Sequence, residues 1–81
     1  MTASPALDTT VLEILALVLD EPAHALTTQP VLAAHDWDSL ASLEALAQLE
    51  SRFAINLDLR SFHAARTVDD MVGLVESALR A

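Results

Sequence analysis

The sequence predicts an all-α fold, a four-helix bundle of three long helices and one short third helix, and three observations carry that expectation. Of the 81 residues, 53% are hydrophobic, too many for a disordered chain. Leucine and alanine supply most of them, and only 4% of the chain is aromatic, which favours helix over strand. Apolar residues also recur three or four positions apart in separate stretches, the period of a helix face. A chain of this length is expected to hold one domain over residues 1–81, with little room for a deep catalytic cleft.

The first helix is expected to start with Ser4 as cap and Pro5 in the first turn, and to end near Asp20. Within it Leu7, Val11, Leu12, Ile14, Leu15, Val18 and Leu19 form a wide apolar stripe, interrupted chiefly by Glu13. Such a stripe implies contact with more than one other helix. Residues 21–36 hold two prolines and two histidines without a sustained period and read as a loop, with one helical turn at 31–34. A loop this long is uncommon in a compact domain and often functional. Val31 and Leu32 are expected to pin it to the core.

The second long helix follows from Ser39, with Leu43, Leu46, Leu49 or Glu50, and Phe53 on its inward face and Glu44, Gln48 and Ser51 toward water. Residues 54–58 break that period. Residues 59–65 allow only a short helix, with Leu59 and Phe62 inward. Thr67 then starts the last helix with Asp70 three positions on, a capping box in which Asp replaces the usual Glu or Gln. Val68, Met71, Val72, Val75 and Leu79 form its stripe. No repeat, low-complexity tract or linker interrupts the chain.

Charge narrows the choice of partners. The formal net charge is −8, and arginine is the only basic side chain, so the field around the molecule repels phosphate backbones and a nucleic-acid partner is not expected. Such a surface steers basic partners, or simply keeps a leucine-rich domain in solution. The absence of cysteine removes disulfides, thiolate nucleophiles and thiolate metal sites. The first residues lack the pattern of a signal peptide, and no apolar run nears the length that spans a bilayer. Together these read as a cytoplasmic monomer with no membrane partner. The Met start and the helix running to the last residues favour a stand-alone protein.

The stretch from Asp36 to Leu40, "DWDSL", places Ser39 in the first turn of the second long helix. There, unpaired backbone N–H groups and the positive end of the helix dipole favour a phosphate. An Asp-Ser pair at a helix start is also an ordinary cap, and nothing in those two residues alone decides between the two roles.

The surrounding residues bear on that choice. The run "DSLASLEALAQLESRFAI" resembles the modification helix of the acyl and peptidyl carrier protein family, whose 4′-phosphopantetheine serine is marked by Asp-Ser-Leu. Here those residues are Asp38, Ser39 and Leu40, followed at the family's intervals by Leu43, Glu44, Leu46, Leu49, Glu50, Phe53 and Ile55. The run "INLDLRSFHAARTVDDMV" resembles the loop, short third helix and Thr-Val start of the family's fourth helix. The likeness covers nearly the whole chain. It implies an acyl-carrier-like bundle that catalyses nothing itself. A phosphopantetheinyl transferase would attach 4′-phosphopantetheine from coenzyme A to Ser39, and acyl or aminoacyl groups would ride on its thiol as thioesters.

By the same resemblance Asp38 takes part in cofactor attachment and transferase recognition, and Leu40 is the apolar anchor beside the arm. Asp36, Trp37, Leu40 and Glu44 are the expected contacts for partners. These are the transferase, a loading acyltransferase or adenylating enzyme, and downstream synthase or transferase enzymes. Three departures mark this chain: Asp36 stands where the family commonly has Gly, Trp37 where a smaller apolar residue is usual, and Ala41 where carriers of primary fatty acid synthesis usually have an acid. The acidic surface thins to Asp36, Asp38, Glu44 and Glu50. That pattern leans toward a polyketide or nonribosomal peptide pathway. The alternatives are a primary fatty acid carrier and an unmodified acidic interaction module.

Competing chemistry is weaker. His35, Asp36, Asp38 and Ser39 contain the letters of a hydrolase triad, but without a G-x-S-x-G elbow. His24, His35 and His63 are too scattered to suggest zinc. Trp37 has two readings, as a core anchor for the long loop or as a partly exposed partner contact.

Overall fold

The computed structural model describes residues 5–80, with side chains from Leu7 to Arg80. Ser4, the expected first cap, lies outside those residues. Within them the chain forms α1 (Pro5–Leu19), α2 (Ala23–Thr28), a 3₁₀ turn (Leu32–Ala34), α3 (Ser39–Phe53), α4 (Leu59–Ala64) and α5 (Val68–Arg80). The helices α1, α3, α4 and α5 are the expected bundle, three long and one short. The short helix α2 is an addition, in a segment read as loop. It is six residues long and buries one side chain, Leu26, so it has too few turns to produce a readable period.

The wide stripe of α1 packs against α2, α3 and α5, as its width implied. Asp20, in the left-handed region at φ 56°, stops α1, and the Glu21 N–H reaches back to Ala16 O at 3.0 Å. The centre of the molecule is a single cluster in which Val11, Leu15, Leu26, Leu32, Leu49, Phe62, Met71 and Val75 are fully buried. The long connection is pinned to it by Leu32 alone among the two expected side chains, since Val31 is exposed. Val31 contributes through its backbone instead. An isolated antiparallel bridge joins it to Thr67, with Leu32 N–H donating to Arg66 O at 2.9 Å and Val68 N–H to Pro30 O at 3.0 Å.

The face that α3 turns inward differs from expectation. Ala41, Ser42, Ala45 and Leu49 are buried, Leu46 and Phe53 are half-buried against the core, and Leu43 is 60% exposed. The stripe has turned toward positions 41, 45 and 49, spaced four apart. The small side chains of Ala41 and Ala45 let the helix lie close to α1, and a pattern weighted by large apolar residues passes over them. Ala54, left-handed at φ 55°, ends α3 with its N–H on Glu50 O. The Glu50 carboxylate then accepts the Leu57 N–H at 2.8 Å, fixing the turn into α4.

In α4 Phe62 is buried, whereas Leu59 is exposed: a six-residue helix capped by Asp58 presents one direction to the core, and Phe62 takes it. In α5, Val68, Met71 and Val75 are buried and Val72 half-buried, but Leu79 in the last turn is exposed because the stripe outruns the core. The capping box forms as expected. Asp70 N–H donates to Thr67 Oγ1 at 3.1 Å, while Asp70 Oδ2 accepts from Arg66 N–H at 2.9 Å and Thr67 N–H at 3.1 Å.

These bonds to Arg66 and Thr67 hold the Asp70 carboxyl below its usual range, and the bonds from Ser61 do the same for Asp58. Both groups bind a proton less readily folded than unfolded, so their contribution is present above the ordinary carboxylate range and lost as pH falls through their lowered values. Melting temperature should therefore fall in acid. The acid branch should be shallower in Asp70→Asn, and an unchanged branch would remove the cap from the account.

Candidate functional site

The segment entering α3 is drawn tight by its own backbone. Trp37 N–H donates to His35 O at 2.8 Å and Asp38 N–H to Asp36 O at 3.1 Å. Asp38 is then the N-cap: its Oδ1 accepts from Ala41 N–H at 2.8 Å and its carbonyl from Ser42 N–H at 2.9 Å. Ser39 is the first helical residue, exposed, and its hydroxyl makes no hydrogen bond among the described residues. Its neighbour Ser42 is the reverse case, 6% exposed with its Oγ donating to Ser39 O at 3.0 Å. Capping thus accounts for Asp38 and leaves the Ser39 hydroxyl without a structural duty. The backbone N–H groups of Ser39 and Leu40 likewise have no partner among the described residues and stand at the positive end of a 15-residue helix.

Beside Ser39 runs an open cleft of about 200 Å³ between the end of α1 and the start of α3. Val18, Leu19 and Leu40 line it together with Asp36, Asp38 and Glu44, so three of the four expected partner contacts share one feature with Asp38. Trp37 does not join them. It is half-buried against the core, its ring centroid 6.1 Å from that of Phe62 at a tilt of 53°, which is the anchoring arrangement of its two readings. Glu50 is half-buried and its carboxylate is occupied by the Leu57 N–H, which removes it from an outward acidic surface. Leu40 is 66% exposed and Leu43, three residues on, 60% exposed, so they form one apolar strip leading away from Ser39. Leu43 was missed by pattern reading. The signal that finds it is the Ala41–Ala45–Leu49 spacing, which rotates position 43 outward.

Among the described residues no three His, Cys, Asp or Glu side chains gather as a metal-holding group, and no helix is long and apolar enough to cross a membrane.

This all-helical bundle with an exposed serine at a helix start is the form of a carrier domain. A family model described as the phosphopantetheine attachment site matches residues 9–75, and the chain belongs to this family, that of the acyl and peptidyl carrier proteins. No curated protein gives a significant match. The family's covalent cofactor is 4′-phosphopantetheine, and its members work with a phosphopantetheinyl transferase and with synthase enzymes. The start of α3 fits a phosphodiester, with an unbonded hydroxyl and two unpaired N–H groups in open surroundings. The neighbouring carboxylates of Asp36, Asp38 and Glu44 belong to exposed residues, where water and salt screen them.

Proposed function

We propose that the chain is a single carrier domain that holds acyl or aminoacyl intermediates as thioesters on an arm attached to Ser39. It serves a specialised polyketide or nonribosomal peptide pathway as a cytoplasmic monomer. The observation that carries the attachment site is the Ser39 hydroxyl, exposed and unbonded while Asp38 alone caps α3. In the transfer, Ser39 Oγ gives up its proton to a base of the transferase and forms a P–O bond to the phosphorus on the pantetheine side of the coenzyme A pyrophosphate, while the pyrophosphate P–O bond breaks and the nucleotide half departs with its phosphate. The attached arm supplies the thiol, the only one on a molecule without cysteine. The chain's own residues bind and present; bond making and breaking belong to its partners. The specialised pathway is favoured by Ala41, which carries no charge where primary carriers usually have an acid.

Intact-mass analysis with coenzyme A and a broad-specificity transferase should show one pantetheine-sized adduct per chain. No adduct would favour an unmodified interaction module.

The partner surface is Asp36, Leu40 and Glu44, extended by Leu43 and by the part of Trp37 that the core leaves exposed, with a loading acyltransferase or adenylating enzyme and downstream synthases using it in turn. Leu40 and Glu44 lie four residues apart on α3, so an apolar contact and an acid share one face. Glu44→Arg should slow transferase and loading reactions through association, and its deficit should shrink as salt shortens screening to about 8–10 Å and below. Leu40→Ala should lower the same rates with little salt dependence, because it removes a desolvated contact. Rates for both variants across ionic strengths, at matched melting temperatures, check this. A Glu44→Arg rate equal to wild type at low salt would remove steering from α3.

A further inference from the structure

His35 carries an arrangement that the carrier role leaves unexplained. Its side chain is only 7% exposed, with Nδ1 at 2.7 Å from Glu21 Oε1 and Nε2 at 2.8 Å from the carbonyl oxygen of Gln29. Both partners are acceptors. A neutral imidazole has one N–H and cannot satisfy them together, whereas an imidazolium donates to both. Glu21 follows the left-handed Asp20 that ends α1, and Gln29 is the C-cap of α2, its N–H on Ala25 O. The ring therefore ties the ends of two helices to the segment that enters α3. The His35 backbone is committed as well, its N–H to Leu32 O at 3.0 Å and its carbonyl to Trp37 N–H at 2.8 Å.

We propose that His35 is a positioning residue for the reaction at Ser39: as an imidazolium it clamps residues 35–38 onto the ends of α1 and α2, and loss of its proton opens one side of that clamp and loosens the approach to Ser39. This rests on Ser39 being the attachment site. When the ring is neutral, one nitrogen turns a lone pair toward an oxygen, and either the Glu21 or the Gln29 contact is lost. The segment released holds Asp36, Trp37 and Asp38, which frame the serine. A held segment spares a docking enzyme the entropy of ordering it.

The groups acting on the ring agree with this. The Gln29 carbonyl raises the histidine above its ordinary value, burial opposes it, and the Glu21 carboxylate raises it further. The charged groups that face the ring are Glu21 from the α1–α2 turn and Asp36 from its own segment, both acidic. With the folded value raised, the clamp is fully engaged below the ordinary histidine range and is lost as pH rises through the raised value.

The only tryptophan, Trp37, sits two residues from His35 and reports on the segment directly. In the whole chain, His35 ring titration by NMR and Trp37 emission should share one midpoint, above the ordinary histidine value. In Glu21→Gln that midpoint should move to lower pH. In His35→Asn the emission change should vanish, which separates it from any effect of His63, whose ring stands 5.7 Å from that of Phe62. The ratio of wild-type to His35→Asn modification rates at each pH cancels the transferase's own pH dependence. It should show a several-fold wild-type advantage at low pH that disappears as His35 deprotonates. Should His35→Asn fail to fold by circular dichroism, Glu21→Ala supplies the same ratio, because it lacks the Glu21 side of the clamp at every pH, and the wild-type advantage should again disappear as His35 deprotonates. A flat Trp37 response, or a ratio independent of pH, with Ser39 still modified, overturns the role of His35 alone. An adduct on Ser39→Ala overturns the attachment site and the positioning role with it.

Discussion

Ser39→Ala should fold as the wild type does and gain no mass when incubated with coenzyme A and a broad-specificity transferase. The expected loss is complete because the substitution removes the one oxygen proposed to form the new bond. Stability should change by no more than about 0.5 kcal/mol, since the hydroxyl is exposed and unbonded and alanine is a good helix former at an exposed first-turn position. Asp38→Ala provides the contrast: it removes the cap on Ala41 N–H and should cost about 0.5–2 kcal/mol while leaving the nucleophile in place. Melting curves and intact mass on both variants separate the cap from the attachment point. An adduct on Ser39→Ala, or a wild-type adduct mapped to Ser42 or Ser51, would end the assignment.

The second large effect is expected in the core. Leu49→Ala removes a fully buried side chain from the face of α3 that packs inward and should destabilise the bundle by about 2–5 kcal/mol. Leu43→Ala, on the outward strip, should change stability by no more than about 0.5 kcal/mol. Leu46→Ala and Phe53→Ala should fall between, because both residues are half-buried against the cluster. Chemical denaturation of the four variants tests the rotation of the helix directly. Equal losses at positions 43 and 49 would restore the face read from leucine spacing and contradict the packing described here.

The same helix shows where the sequence was legible. Its boundaries were, because Asp38 announces a cap and the apolar period stops at Phe53, and both are local events. Its rotation was not: alanine carries a weak hydrophobic signal, and which side of a leucine-rich helix faces inward depends on how closely the partner helix approaches. For the site, Ser39, Asp38, Leu40 and Glu44 could be singled out from spacing and from resemblance to the carrier family. The cleft that gathers them could not, since Val18 and Leu19 reach it from a helix some twenty residues earlier.

Taken alone, the amino-acid sequence determined the helical class, the ends of the long helices, the capping box at Thr67 and Asp70, and the helix start on which Ser39 sits. All of these follow from interactions between residues a few positions apart. The short helix α2, the exposure of Leu43 and Leu59, the inward turn of Trp37 and the engagement of His35 with Glu21 and Gln29 were decided by tertiary structure. Each depends on a partner distant in the chain or on the space left by its neighbours, such as the separation of 14 positions from Glu21 to His35 that the fold closes to a 2.7 Å contact. Local patterns fix torsions and caps, whereas burial is a property of the assembled core, and only there is the difference between an anchoring and a presenting side chain settled.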